Sequence, residues 1–156
     1  GPYRKTAAKN SNPFTPAVNL YFALEAALEI MQAEGLEPIF ARHSRHRAAA
    51  HAAMKAIGLP LFAAEGHGSP AITAVAPNGM DAEQLRKAVK ERYDILLAGG
   101  QDHLKGKVFR IGHLGFVCDR DVLTAVAAIE SVLQSIGMHT GTMGAGVSAA
   151  SDVLSQ

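Results

Sequence analysis

The chain has 156 residues, of which 48% are hydrophobic and 19% charged, a balance typical of one globular domain and unlike that of a disordered segment. Lys and Arg total 15 against 14 Asp and Glu, and a net charge of +1 gives no reason to expect a nucleic acid as partner. No apolar run has the length of a membrane span. The single cysteine, Cys118, excludes an internal disulfide and a cysteine-based zinc site, and it favours a reducing, cytoplasmic compartment.

The first predicted elements are an arm and two helices. Residues 3–12 are polar and basic, which predicts an exposed arm. Thr15 can cap a helix whose first position is Pro16, where the missing N–H costs nothing. Apolar residues then recur at helical spacing until Gly35, at Ala17, Leu20, Tyr21, Leu24, Leu28 and Met31. A second helix is predicted from residue 38 to residue 58.

The rest of the chain alternates short strands with helices. Strands are predicted over residues 59–63, 71–76, 95–97 and 108–111, and helices over residues 81–93 and 119–136. From Gly137 onward the sequence is mostly Gly, Ser, Thr and Ala with little to bury, which predicts a tail. We therefore expect an α+β fold, in which a small antiparallel sheet carries helices on one face and two helices precede it.

Arg110 is the first candidate binding residue. It interrupts an apolar strand, where an unpaired guanidinium is costly, and strand alternation places it on the face opposite its two apolar neighbours. Gly99, Gly100 and Gly112 remove side-chain bulk nearby. A guanidinium in this setting suits a carboxylate ligand, because it offers paired donors. The alternative is a structural ion pair or an exposed sheet face.

Thr15 and Asn12 form the second candidate, an anion site at a helix N-terminus. Free amides and the positive end of the helix dipole attract anions there, and the two side chains add a hydroxyl and an amide. The alternative is a helix cap without a ligand.

The second predicted helix is rich in arginine and histidine. Its His43 and His46 are three residues apart, but no cysteine or carboxylate lies at ligand spacing on the same helix, so no metal site is predicted. The near-neutral total charge and the lack of interleaved aromatic residues count against a nucleic-acid interface. We expect most of these charges to form a solvated face.

A series of motifs follows in one order along residues 3–137. They are Asn12-Pro13-Phe14-Thr15-Pro16, Gly35-Leu36-Glu37, Ala41-Arg42-His43, Ser69-Pro70 before Thr73-Ala74-Val75, Ala98-Gly99-Gly100, and Lys107-Val108-Phe109-Arg110-Ile111-Gly112. Each motif is weak alone. Together they resemble the C-terminal, small domain of class V pyridoxal-phosphate aminotransferases of the alanine–glyoxylate and serine–pyruvate type.

The resemblance implies a role for each candidate residue. Arg110 would bind the substrate carboxylate, and Thr15 would reach the cofactor phosphate of the neighbouring subunit in a dimer. Asn12, which stands where many relatives have a tyrosine, would be a second phosphate ligand. The implied organisation is an arm over residues 1–16 that reaches this phosphate, a small domain of the aspartate-aminotransferase type over residues 17–137, and a low-complexity tail over residues 138–156.

The resemblance also implies that the chain is one part of a pyridoxal 5′-phosphate enzyme. The Schiff-base lysine of the family belongs to a large domain that this chain lacks, and none of its seven lysines matches it. We expect the whole protein to be a homodimeric transaminase, which moves an amino group between a small amino acid and a 2-oxo acid such as glyoxylate or pyruvate. We expect the chain alone to be inactive, because transamination needs that lysine. The alternative is a non-catalytic interaction module, in which the apolar stripe of the first helix binds a partner.

Overall fold

The computed structural model describes residues 1–138 and 141–156. These residues form two compact units, Gly1–Ile39 and Phe40–Gln156. None of the helices in the described part of the chain is long and apolar enough to cross a membrane. The domain boundaries proposed from the sequence, after residues 16 and 137, stay predictions.

The first unit contains two helices, α1 over Pro2–Ala7 and α2 over Val18–Glu34. The arm predicted over residues 3–12 is nearly all exposed, but its first half is helical. The prediction that Thr15 caps α2 is wrong, because the helix begins later, after Ala17, and its cap makes no side-chain hydrogen bond. The carbonyl oxygen of Ala17 is the first helical acceptor, since it accepts from the amide of Tyr21 at 3.3 Å.

Helix α2 exposes its apolar side chains. It ends, as predicted, at Gly35, which takes a φ of +87° that a side chain would disfavour. None of its residues is buried, and the exposed fraction is 70% for Leu20, 54% for Leu24 and 45% for Leu28. We call the apolar stripe of α2 its open face; it consists of Leu20, Tyr21, Leu24, Leu28 and Met31.

The second unit contains the sheet. Helix α3 spans Leu36–Ala56, so its first turn precedes the first residue of this unit. The elements that follow in order are β1 (Ile72–Val75), α4 (Ala82–Tyr93), β2 (Ala98–Gly99), a 3-10 turn (Asp102–Leu104), β3 (Phe109–Gly112), α5 (Asp119–Ser135) and α6 (Ala145–Leu154). Helix α4 starts where the sequence predicts, because the side chain of Asp81 accepts a hydrogen bond from the amide of Glu83 (2.9 Å).

The three strands are antiparallel in the order β1-β3-β2. The strand predicted over residues 95–97 is displaced to β2, because the carbonyl oxygen of Leu97 accepts a hydrogen bond from Arg86 on α4 (2.7 Å) and not from a neighbouring strand. The strand predicted over residues 59–63 is reduced to one bridge between Leu61 and Val75.

The core lies between the sheet and its helices. Val75 on β1, Phe109 on β3, Leu85 on α4 and Ile129 on α5 are fully buried in one cluster. Burial of such side chains is the main favourable term in folding. The structure thus confirms the predicted α+β class, with a small antiparallel sheet and helices packed on one face.

The prediction of a tail with little to bury after Gly137 is wrong for its last part. Helix α6 packs against α5, with Gly146 and Ala150 buried. The carboxylate of the buried Glu130 on α5 accepts hydrogen bonds from the amides of Gly146 (3.0 Å) and Val147 (3.2 Å), and so caps α6. Residues 139–140 of the predicted tail lie outside the described residues.

Candidate functional site

Arg110 lies in β3, the middle strand of the sheet. The residues opposite it are Ala74 on β1 and Ala98 on β2. Paired residues project to the same face, so a methyl group flanks the arginine on each side. Phe109 and Ile111 are buried on the other face, as strand alternation predicts. The half-buried guanidinium therefore stands on the sheet face opposite the core, between two small side chains.

One hydrogen bond orients the Arg110 side chain. Its Nε donates to the carbonyl oxygen of Gly99 at 3.0 Å. Among the described residues no carboxylate oxygen lies within 4.0 Å of this guanidinium, and its two outer nitrogens have no partner. The structural ion pair considered as an alternative is therefore not formed there. A guanidinium held at Nε presents its outer pair of N–H groups to a ligand, which is the geometry of bidentate carboxylate binding.

Strand β2, which supplies the carbonyl group for Arg110, is held against α4. Arg86 on α4 donates from Nε to the carbonyl oxygen of Leu97 (2.7 Å) and from Nη1 to Oε2 of Glu83 (2.6 Å). A Cβ at Gly99 would lie 2.5 Å from Nη1 of Arg86, so a side chain at residue 99 would displace this arginine. Sequence reasoning missed Arg86 and Glu83; the available signal was an acid–base pair at three-residue spacing on α4.

The glycine-rich loop between β2 and β3 is closed by its own backbone. The amide of Gly100 donates to the carbonyl oxygen of Val108 at 3.0 Å. A Cβ at Gly100 would lie 2.0 Å from the carbonyl oxygen of Leu104, so only glycine fits without a backbone shift. The loop thus brings β3 back beside β2, which places Arg110 opposite Ala98.

Thr15 and Asn12 belong to the first unit, whereas Arg110 belongs to the second. Both are exposed. The amides of Val18 and Leu20 are bonded to backbone carbonyl oxygens, so the α2 N-terminus offers fewer free donors than the sequence suggested. The Thr15 hydroxyl and the Asn12 side-chain amide have no hydrogen-bond partner within residues 1–138 and 141–156, which fits donors for a phosphate. Their binding role stays a prediction.

The basic residues of α3 form the expected solvated face only in part, because Arg45 and Lys55 are exposed whereas Arg42 and His43 hold the loop after β3. Nη1 of Arg42 donates to the carbonyl oxygens of Gly115 (2.9 Å) and Val117 (3.1 Å). Nε2 of His43 accepts a hydrogen bond from the amide of Gly115 at 3.2 Å. This loop follows Arg110 by a few residues, so α3 fixes the chain on the C-terminal side of the site.

A second contact ties α3 to the start of α5. Nε2 of the fully buried His46 lies 2.8 Å from Oδ1 of Asp119, which also accepts from Nη2 of Arg45 at 3.0 Å. Desolvation acts to raise the pKa of Asp119, but the hydrogen bonds from His46 and Arg45 outweigh it and lower that pKa. Among the described residues no three His, Cys, Asp or Glu side chains are grouped closely enough to hold a metal ion.

His113, just after β3, is a buried neutral base. Its Nε2 lies 2.9 Å from the hydroxyl oxygen of Thr73 on β1. Burial lowers the pKa of His113 to about 4; the charges of His46 and His51 act in the same direction, and a backbone contact with Pro70 opposes them. The imidazole is therefore uncharged at pH 7.

Known proteins show what this fold is similar to. No protein-family model matches the sequence. The chain is 65% identical, over 99% of its length, to the soluble hydrogenase small subunit of Synechococcus sp. strain PCC 6716, and 40% identical, over 91%, to the serine–glyoxylate aminotransferase of Arabidopsis thaliana. It matches the crystal structure of ureidoglycine–glyoxylate aminotransferase from Bacillus subtilis with a TM-score of 0.87 and 33% identity over 95% of the chain. The chain is homologous to the C-terminal part of these aminotransferases.

This aminotransferase likeness confirms the resemblance and the small-domain fold inferred from the sequence motifs. The chain spans about two fifths of each relative, namely 40% of the hydrogenase subunit, 36% of the Arabidopsis enzyme and 38% of the Bacillus structure. The similarity covers 99% of the chain for the hydrogenase subunit and 91% for the Arabidopsis aminotransferase.

Proposed function

We propose that this chain is the C-terminal domain of a class V pyridoxal-phosphate-dependent transaminase and that Arg110 binds the substrate carboxylate. One observation carries the proposal. The guanidinium of Arg110 is held at Nε by the Gly99 carbonyl oxygen, and its outer nitrogens have no carboxylate partner among the described residues. The half-buried guanidinium thus has two nitrogens to offer a ligand, and homology to transaminases supports a carboxylate ligand.

In this proposal the chain's own residues bind the substrate carboxylate and the cofactor phosphate and so orient both molecules. Arg110 fixes the carboxylate of an amino acid or 2-oxo acid, and the small side chains of Ala74 and Ala98 leave room beside it. Thr15 and Asn12 donate hydrogen bonds to the phosphate group of the cofactor. In a homodimer this cofactor is the one bound by the neighbouring subunit. The cofactor, when bound, supplies the aldehyde and the electron-withdrawing ring that transamination needs. The lysine that forms the Schiff base with the cofactor belongs to the rest of the whole protein. We place this protein in the cytoplasm.

The proposed substrates are a small amino acid as donor and glyoxylate or pyruvate as acceptor. Two similar proteins support glyoxylate, because their names specify serine–glyoxylate and ureidoglycine–glyoxylate exchange. All of these substrates carry a carboxylate next to the reacting carbon, which a single arginine can hold in one orientation.

The test uses the whole protein with the substitution Arg110→Ala. We expect the variant to keep the absorbance of bound cofactor and to lose about 2–5 kcal/mol of affinity for carboxylate substrates, the usual effect of removing one partner of a buried charge pair. Arg92→Ala on the exposed side of α4 is the matched control and should bind as the parent does. Loss of cofactor with unchanged substrate affinity would contradict this role. The chain of 156 residues alone should show no transamination.

A second candidate function is that of a non-catalytic interaction module, and the open face of α2 is the observation that favours it. Its leucines are about half exposed or more, and such a surface associates with a partner. We expect the chain to self-associate when it is studied alone, and Leu24→Asp to reduce that association. Light scattering that shows a monomer at high concentration would count against an interaction role for this face.

A further inference from the structure

A cavity of about 510 Å³ lies in the second unit between α3 and the segment over residues 60–68. One wall carries Arg47, His51 and Lys55, which follow one another at four-residue spacing and so share one face of α3. The opposite wall is mainly apolar, from Pro60, Leu61, Ala63 and Ala64. The volume falls within the range of small-molecule sites, which combine an apolar lining with a few charged groups.

The cavity carries more positive than negative charge. Arg47 and Lys55 are the basic residues with long side chains in the lining, and Glu65 is the carboxylate among the lining residues. Glu65 is 97% exposed, with its Oε1 4.0 Å from Nζ of Lys55, so this ion pair is loose and solvated. Desolvation, followed by the charges of Arg47 and Lys55, lowers the pKa of His51. An anion placed among these three side chains would offset the repulsion between Arg47, Lys55 and the protonated form of His51.

Backbone contacts hold two of the three side chains in place. Nη1 of Arg47 donates to the carbonyl oxygen of Gly68 at 3.3 Å. A Cβ at Gly68 would lie 2.7 Å from Cε1 of His51, so the backbone there packs directly on the imidazole. The site is therefore organised before a ligand enters, which lowers the entropy lost on binding.

We propose that this cavity binds a small phosphate monoester. The phosphate lies against Arg47, His51 and Lys55, and the organic group contacts the apolar wall. Arginine and lysine are ordinary phosphate ligands, because their N–H groups form charge-assisted hydrogen bonds with its oxygens. A phosphate dianion also favours the protonated form of His51, which then adds a further donor. The apolar wall selects an ester over the inorganic ion.

The experiment titrates the chain with inorganic phosphate and with propyl phosphate, at pH 7 and constant ionic strength. The readout is the NMR signal of the His51 ring, identified by its loss in His51→Gln. We expect a saturable shift towards the protonated position with both probes. Propyl phosphate should bind at least about fourfold tighter, because at least one methylene is buried against the apolar wall.

Lys55→Gln tests the cationic wall. Within the described residues the Lys55 ammonium group makes one loose ion pair, with Glu65, so we expect its replacement to leave the fold intact. We expect propyl phosphate to bind about tenfold more weakly, as for the loss of one charge-assisted hydrogen bond. The matched control is Lys87→Gln on α4, an exposed lysine 3.8 Å from the carboxylate of Glu91, which should bind as the parent does.

Three results would overturn the proposal. The first is no saturable shift at probe concentrations on the order of 10 mM, which would make the cavity a solvated cleft. The second is equal weakening by Lys55→Gln and Lys87→Gln, which would reduce binding to general charge screening. The third is succinate binding as tightly as propyl phosphate, which would assign the site to carboxylates. None of these results involves Arg110, so they do not bear on the transaminase proposal.

Discussion

Replacing Glu130 with alanine removes the cap of α6. The carboxylate of Glu130 is 1% exposed and accepts from the amides of Gly146 and Val147, at 3.0 Å and 3.2 Å. Hydrogen bonds to a charged group contribute about 1.5–3 kcal/mol each, and the deletion leaves two amides without their acceptor. We therefore expect Glu130→Ala to lower the free energy of unfolding by about 3–5 kcal/mol, and Glu130→Gln by about 2 kcal/mol because one acceptor oxygen remains.

The assay is urea unfolding followed by circular dichroism, combined with hydrogen exchange of the Gly146 and Val147 amides. Exchange at these two amides should accelerate more than exchange in α4, because the cap acts on α6 directly. Glu29→Gln on α2 is the control, since this exposed carboxylate lies in a helix with no buried residue. An unfolding free energy within about 0.5 kcal/mol of the parent for Glu130→Ala would refute the reasoning, since surface substitutions have effects of that size.

Two further predictions concern residues on either side of β3, the strand that carries Arg110. The pKa of His113 is about 4 in the folded chain and about 6.5 in the unfolded chain. Between these pH values the unfolded chain binds more protons, so the free energy of unfolding rises with pH, by about 3 kcal/mol in total. Urea midpoints from pH 4.5 to 7 should show a smaller slope for His113→Gln, and an unchanged slope would contradict the burial argument. Gly100→Ala should lower stability by about 3 kcal/mol in urea unfolding, because its Cβ would meet the Leu104 carbonyl oxygen at 2.0 Å. Gly112→Ala is its control, with its nearest contact at 3.4 Å, and equal effects of the two would contradict this explanation.

Local patterns predicted those features that depend on neighbours in the sequence. The alternation of residues around Arg110 correctly predicted that its side chain lies on the sheet face opposite Phe109 and Ile111, since a strand has a period of two regardless of its partners. Asp81 marked the start of α4 for the same reason, because a cap is a contact within three residues.

Features that depend on distant contacts could not be predicted in this way. The position of β2 follows from the Arg86 bond to the Leu97 carbonyl oxygen, and strand propensity alone favours the more apolar residues 95–97. Helix α6 has few bulky apolar residues, and its cap is a carboxylate on another helix, 16 positions earlier in the chain. The cavity beside Arg47 was missed because its second wall comes from a loop whose path the sequence does not indicate.

The link from α4 to Arg110 means that the orientation of this guanidinium depends on the position of a neighbouring helix that does not contact the guanidinium through a hydrogen bond of its own. Arg86 donates a hydrogen bond to the carbonyl oxygen of Leu97, and Arg110 donates one to the carbonyl oxygen of Gly99, two residues later. A small displacement of α4 along the sheet would therefore move the Gly99 carbonyl group and rotate the guanidinium of Arg110. A substitution on α4 that displaces Arg86 can therefore change the orientation of the Arg110 guanidinium while the arginine itself stays in place.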